Sequence, residues 1–328
     1  MTILQKSPDR DFVILNITDT HVKLSSFTKG DVTGDVLRYT LSALIEKSHP
    51  DLITFTGDMT KDDDPEVYRL LAEYINSFGI PWAPIFGNHD NENGAEVSEQ
   101  IADIICAFDK CLFEKGPREL GCGNYIIGVN EGNSPVTALI MMDTHSFFRI
   151  NIDGKSRFSW GEITEAQKNW YREQVARLKE DGYKESQLFI HIPLYTYGEV
   201  LDASYVTVTE ESPETFYDFP AENVKAALPD TFGVTYEEAS GPIRDNGFFD
   251  TLTEVAHTNH VICGHNHINS ASFVHRGIRL TYSLKLGCGS YNRRHLNGGT
   301  VLTVGSDGFM GVRHEYVETP YELPLFAY

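Results

Sequence analysis

Residues 12–21 read Phe-Val-Ile-Leu-Asn-Ile-Thr-Asp-Thr-His, and this stretch decides the fold class. Phe12–Ile17 is a short, β-branched apolar run of strand length that ends abruptly in the polar Thr18, Asp19, Thr20 and His21. The same grammar recurs downstream. Leu52–Thr56 reads as a buried strand running straight into Gly57 and Asp58, and residues 82–86 as a strand leading into Gly87, Asn88, His89 and Asp90. Leu37, Leu41, Leu44 and Ile45 recur at helical spacing between the first two runs, until His49 and Pro50 stop the helix. Pro65 opens a second helix, with Val67, Leu70, Leu71, Tyr74, Ile75 and Phe78 on one face and Gly79 at its C′ position. A third is predicted over residues 97–108. Strands alternating with helices in this way indicate an α/β fold.

The second half repeats the theme less regularly. Residues 125–129 and 136–142 are predicted as neighbouring strands, and Thr164 with Gln167 forms a capping box ahead of a helix. A strand over residues 188–192 carries His191 within it or at its end. Residues 195–242 are aperiodic and rich in Glu, Pro and Thr, which marks an insertion over a functional edge. A helix near residues 248–256 leads to a strand over 260–263 and then to Gly264, His265, Asn266 and His267. The runs at 272–274, 278–282, 300–304 and 309–316 read as antiparallel strands joined by Gly-rich turns. No repeat or linker interrupts the chain, so a single domain over residues 1–328 is expected, with the insertion at about 195–242 shaping the rim of its site.

Composition narrows the partners. The 328 residues carry 27 Lys+Arg against 47 Asp+Glu, a formal net charge of −20. That balance argues against a protein held to nucleic-acid phosphates or anionic lipid. No stretch approaches the ~20 apolar residues of a membrane helix, and residues 1–11 lack the apolar core of a secretory signal. A cytoplasmic protein with no nucleic-acid or membrane partner is the expectation. The five cysteines are odd in number and lack paired spacing, so they read as small core residues.

The chemistry-bearing residues sit at strand ends. Asp19 with His21, Asp58, Asn88 with His89, His191, and His265 with His267 all follow strand-like runs. In an open α/β sheet such ends converge on one crevice. Taken singly, Asp19-Thr20-His21 and Gly57-Asp58 read as turns and His191 as a hydrogen-bonded core histidine. Jointly they offer three oxygen donors and five imidazoles, too many for one zinc but suited to two metals sharing a carboxylate. Asp143-Thr144-His145 repeats the Asp-x-His pattern after another strand and reads as a structural brace. Residues 210–214 read as a solvated acidic face.

The ordered set Asp19-Thr20-His21, Gly57-Asp58, Gly87-Asn88-His89-Asp90, His191 and Gly264-His265-Asn266-His267 resembles the calcineurin-like metallophosphoesterases, over residues 12 to about 290. Residues 53–58, 85–92, 191–194 and 246–269 look closest to small phosphatases related to purple acid phosphatases. Lys61 stands where those enzymes carry an iron-binding tyrosine, so a tyrosinate-ligated ferric ion is not expected. The resemblance implies a four-layer α/β/β/α sandwich with mixed sheets. It also implies two divalent transition metals, Mn, Fe, Zn or Co. Asp19, His21 and His267 would hold the first, Asn88, His191 and His265 the second, and Asp58 would bridge them. A metal-bridging hydroxide would attack phosphorus, with His89 protonating the leaving alkoxide or orienting the phosphate and Asp90 holding the His89 ring. Arg293 and Arg294 are candidates to bind a substrate anion. The expected function is hydrolysis of a small phosphate mono- or diester. A cyclic-nucleotide phosphodiesterase, which shares the Gly-Asn-His-Asp motif, and a non-catalytic binding protein on the same fold are the alternatives.

Overall fold

A computed structural model describes residues 1–61, 64–204 and 231–324. Strands β1 (Thr2–Gln5) and β2 (Phe12–Ile17) precede helix α1 (Val32–Ser48), β3 (Leu52–Thr56), α2 (Pro65–Asn76), β4 (Trp82–Ile85), the single turn α3 (Asn88–Asn91) and α4 (Ala95–Cys106). Then follow β5 (Tyr125–Glu131), β6 (Ser134–Met141), the hairpin of β7 (Phe147–Ile152) and β8 (Lys155–Trp160), α5 (Glu165–Glu180), β9 (Ser186–Phe189) and α6 (Tyr195–Ser204). Beyond residue 231 come α7 (Phe248–Val255), β10 (Thr258–Cys263), β11 (Ser272–His275), β12 (Ile278–Tyr282), β13 (Gly298–Gly305) and β14 (Gly308–Tyr316).

Local chemistry sets the helix ends. The Asp31 carboxylate accepts from Gly34 N–H at the start of α1, and His49 in left-handed conformation closes its end by donating to the Ile45 carbonyl. Thr164 and Gln167 form the reciprocal capping box of α5. Helix α2 ends at Asn76, so Gly79 lies beyond the C′ position.

Two mixed sheets form the centre. One orders its strands β14-β13-β2-β3-β4, the other β1-β5-β6-β9-β10-β12-β11. Strands β2, β3 and β4 pair in parallel, as do β6, β9, β10 and β12, while β13 and β14 run antiparallel beside β2. Alternation along β6 shows the layering. Leu139 and Met141 join one buried cluster with β2–β4, α1, α2 and α4, whereas Ala138 and Ile140 join a second with α5, α6 and α7. The sheets therefore face each other, with helices covering both outer sides.

Four expectations change. Strand β1 and the β7–β8 hairpin were not anticipated; β8 is mostly exposed, and a strand with no buried face leaves little apolar pattern to read. The C-terminal strands divide between the sheets: β13 and β14 run antiparallel as expected, whereas β12 joins the other sheet, parallel to β10 and antiparallel to β11. His191 lies two residues beyond β9 rather than inside it. The segment read as aperiodic from residue 195 opens with α6, where Tyr197 is buried and donates to the Val261 carbonyl; residues 205–230, with the acidic 210–214, lie outside the described residues.

Candidate metal centre

The parallel ladder of β2 and β3 continues into the loops that follow. Asp19 N–H donates to the Gly57 carbonyl at 3.0 Å, His21 N–H to that of Asp58 at 3.1 Å, and Val22 N–H to that of Met59 at 3.3 Å. This pairing holds Asp19 and His21 beside Asp58. Glycine permits the approach of the other strand ends. A Cβ on Gly57 would lie 2.6 Å from His191 Nδ1, and one on Gly264 would overlap the Thr18 hydroxyl.

Ligand-type atoms of Asp19, His21, Asp58 and His267 all lie within 4.8 Å of one another, and so do those of Asp58, His191 and His265. Asp58 is common to both groups: its Oδ2 is 3.4 Å from His21 Nε2 and its Oδ1 3.4 Å from His191 Nε2. Asn88 Oδ1 faces His191 Nε2 at 3.1 Å. The outward ring nitrogens are fixed from behind: His191 Nδ1 lies 2.7 Å from the Thr56 carbonyl and His267 Nδ1 2.9 Å from that of Tyr291. Each Nδ1 therefore donates, and each Nε2 is left to face inward.

Electrostatics hold most of these groups in ligand form. Burial alone would raise Asp19, but His21 and His267 outweigh it and hold the carboxyl well below its usual range. Asp58 behaves likewise, with His191 and His21 overcoming burial. Burial and the His191 charge push His265 down to about 3, and burial with Lys285 lowers His21 and His267. His191 is the exception: Asp58 overcomes burial and raises it to about 9, so an ion binding there displaces its proton. Asp19 Oδ1 and His265 Nε2 are buried without a hydrogen-bond partner. Orphaned buried acceptors cost about 1–3 kcal/mol each, and a cation among them would remove that cost. Carboxylate, amide and imidazole donors without a thiolate fit a divalent transition metal.

The calcineurin-like phosphoesterase family matches residues 12–269. The chain belongs to that family. A relative in Arabidopsis thaliana, named probable inactive purple acid phosphatase 29, is 25% identical over 327 residues, covering 88% of this chain and 75% of the relative. A probable cyclic nucleotide phosphodiesterase of Psychrobacter arcticus is 27% identical over 178 residues, covering 52% of this chain and 57% of the relative. A dimetal phosphatase from Danio rerio shares the fold, with TM-score 0.55, 10% identity and coverage of 94% of this chain and 98% of that one. This calcineurin-like phosphoesterase is thus a hydrolase of the phosphatase and phosphodiesterase type, and its buried His/Asp groups fit metal binding.

Two expected roles need correction. Asp90 does not hold the His89 ring. Its carboxylate turns inward to accept from Gly87 N–H at 2.8 Å and Tyr68 O–H at 2.6 Å, and burial with the Asp58 charge raises it to about 6. The partner of His89 is Glu92, with Oε1 3.4 Å from Nδ1, while His89 N–H donates to Asp58 Oδ1 at 2.9 Å and the ring packs edge-on against His21. Arg294 is engaged elsewhere, donating to the Thr319 carbonyl at 3.0 Å. Arg293 lies over the Tyr236 ring at 4.1 Å.

Asp143 is a brace, accepting from Asn91, Cys122 N–H and His145 N–H. Cys122, Cys263 and Cys288 are buried as expected, while Cys106 is exposed. The flank at 231–241 clamps the histidine loop: Asn266 Nδ2 donates to the Glu238 carbonyl, and Glu237 Oε1 accepts from Ile268 N–H.

Sequence reasoning missed Lys285, Trp160 and Tyr291. Lys285 is buried, lowered to about 8 chiefly by that burial, and donates to the Asp19 carbonyl. Trp160 packs edge-on against His265 at 4.5 Å, and Tyr291 stacks on His267 at 4.0 Å. None carries a motif. The one available signal is that Lys285 stands as a lone charge between Leu284 and Leu286.

Proposed function

We propose that the protein is a phosphohydrolase that cleaves a small phosphate mono- or diester, with two divalent transition metals (Mn, Fe, Zn or Co) in its two donor groups. The observation that carries this reading is the position of Asp58, whose two carboxylate oxygens face different groups, toward His21 and toward His191. Ions bound there would supply Lewis-acid charge for the phosphoryl oxygens and a nucleophile at neutral pH. Asp19, His21 and His267 hold one ion, Asn88, His191 and His265 the other, and Asp58 belongs to both. Thr18 O–H and His265 N–H, which donate to Asp19 Oδ2 at 2.7 and 3.0 Å, orient that carboxylate. His89, partly exposed at the mouth of the centre, gives its proton to the departing alkoxide, and Glu92 orients its ring. Arg293 is the cation assigned to the substrate anion.

The test joins metal analysis to turnover. After loading with Mn, about two ions per chain are expected, with hydrolysis of p-nitrophenyl phosphate or bis-p-nitrophenyl phosphate. His89→Ala should keep both ions and lose about 10²–10⁴-fold in kcat on esters with poor leaving groups. Fewer than one ion per chain would overturn the dinuclear reading, and undiminished turnover in His89→Ala would overturn the role of His89. A second reading, a cyclic-nucleotide phosphodiesterase, is favoured by Gly87-Asn88-His89-Asp90 and by the Psychrobacter relative; ring-opening of a cyclic nucleotide at a rate above that of both nitrophenyl esters would select it.

A further inference from the structure

A cavity of about 340 Å³ is bounded by Asn91 and Glu92, which follow Asn88 and His89 in the chain, and by residues of α4, of the loop before β5 and of the segment leading into β7. Two lines of contact join it to the centre. His89 touches His21 on one side and Glu92 on the other, and Glu92 lines the cavity. From His265, the rings of Trp160, Phe158 and Phe147 follow one another at 4.5, 5.0 and 5.6 Å, and Phe147 forms part of the cavity wall. The rear wall is preformed. Asp143 accepts from Asn91 Nδ2 at 2.9 Å, and Asn91 Oδ1 accepts from Ser98 Oγ at 2.9 Å.

Hydrolysis breaks the bond between phosphorus and the alcohol oxygen, adds hydroxyl from water to phosphorus, and returns a proton to the alcohol. The alcohol must therefore leave on the side of the proton donor, and the His89 ring meets Glu92, which lines this cavity. The lining carries Glu92, Glu99 and Asp143 against Lys115 and Arg118. Arg118 and Glu99 pair with each other at 2.8 Å and Lys115 with Asp103 at 2.7 Å, so the acidic excess of the lining rests on Glu92 and Asp143. Carboxylates accept hydrogen bonds from hydroxyl groups and repel anions, and Phe147 offers an apolar wall. The volume falls within the range of small-molecule pockets, about 300–1,000 Å³.

We propose that this cavity receives the alcohol half of the phosphate ester and selects a neutral, hydroxyl-bearing alcohol over an anionic one. The proposal rests on the phosphohydrolase reading and adds the substrate class to it. A matched pair of esters tests it: 4-(hydroxymethyl)phenyl phosphate and 4-carboxyphenyl phosphate, alike in size and different in charge. The metal-loaded protein should favour the hydroxymethyl ester about tenfold in kcat/KM. Glu99→Lys, which reverses the sign of the lining, should remove most of that preference. Ala95→Trp, which fills the cavity from an exposed position, should lower kcat/KM for both esters about tenfold while leaving inhibition by inorganic phosphate unchanged. NMR saturation transfer to the aryl ring reads occupancy without turnover and should weaken in Ala95→Trp. Turnover of both esters at equal rates, indifferent to both substitutions, overturns the subsite alone. No turnover of any ester by the loaded protein overturns the phosphohydrolase reading, and the proposal with it.

Discussion

Asp19, His21, Asp58 and His265 all adopt left-handed backbone, with φ of 55°, 43°, 51° and 71°. Such conformations cost about 1–3 kcal/mol per residue and persist only where surrounding structure enforces them. Here the cross-loop hydrogen bonds at Asp19 and His21, and the Asp19 carboxylate on His265 N–H, do so. The side chains then meet at distances that make their charges interdependent. His191 stands at about 9 in the folded protein against an ordinary 6.5, because Asp58 overcomes burial. A folded-state value above the unfolded one means that this stabilisation is complete below pH 6.5 and lost as pH rises through 9. The metal-free protein should therefore lose thermal stability across that window, and Asp58→Asn should flatten the slope. Calorimetric Tm measured on either side of the window decides it, and an unchanged slope in the variant would remove Asp58 as the cause. The donor residues were legible because strand ends followed by Asp, Asn or His are a visible pattern. Lys285 and Trp160 were not, because their proximity to the centre comes from packing between segments far apart in sequence.

Helix α5 shows how far element-level reading reaches. Its capping box was legible from Thr164 and Gln167, since a cap depends on residues three apart. Thr164→Ala should cost about 1 kcal/mol, seen as a lower urea midpoint, with the metal content of the protein unchanged; a simultaneous loss of metal would show that the box also supports the centre. Gln167 gives a reason to measure both, because its Nε2 donates to the Asp143 carbonyl at 2.6 Å. The β7–β8 hairpin was illegible for the opposite reason. Its strands bury little, yet its ring row reaches His265. The role of α6 was hidden too, because the burial of Tyr197 depends on β10 and β12, whose Val261 and Thr281 carbonyls receive its hydroxyl.

At the scale of the whole molecule, two sheets bring the ends of β2, β3, β9 and β10 to one edge, with the turn after β4 adding Asn88 and His89. The buried carboxylates of Asp19 and Asp58 sit together there, with the buried Lys285 ammonium drawn to both. Metal loading should raise Tm, since a ligand held only by the folded state at about 100 times its Kd stabilises by about 2.7 kcal/mol. Removal by a chelator should reverse the gain, and a Tm indifferent to both treatments would contradict metal binding at this site. The net charge of −20 excludes no local anion site and disfavours a polyanion track. By itself, the order of strands, helices and strand-end polar residues determined the α/β class and marked out the candidate donors, because periodicity and turn chemistry are local. Only the tertiary structure decided that Asp58 faces both groups, that Asp90 serves Tyr68 rather than His89, and that a cavity opens behind Glu92. Those facts depend on which distant segments pack together, and no spacing along the chain records that.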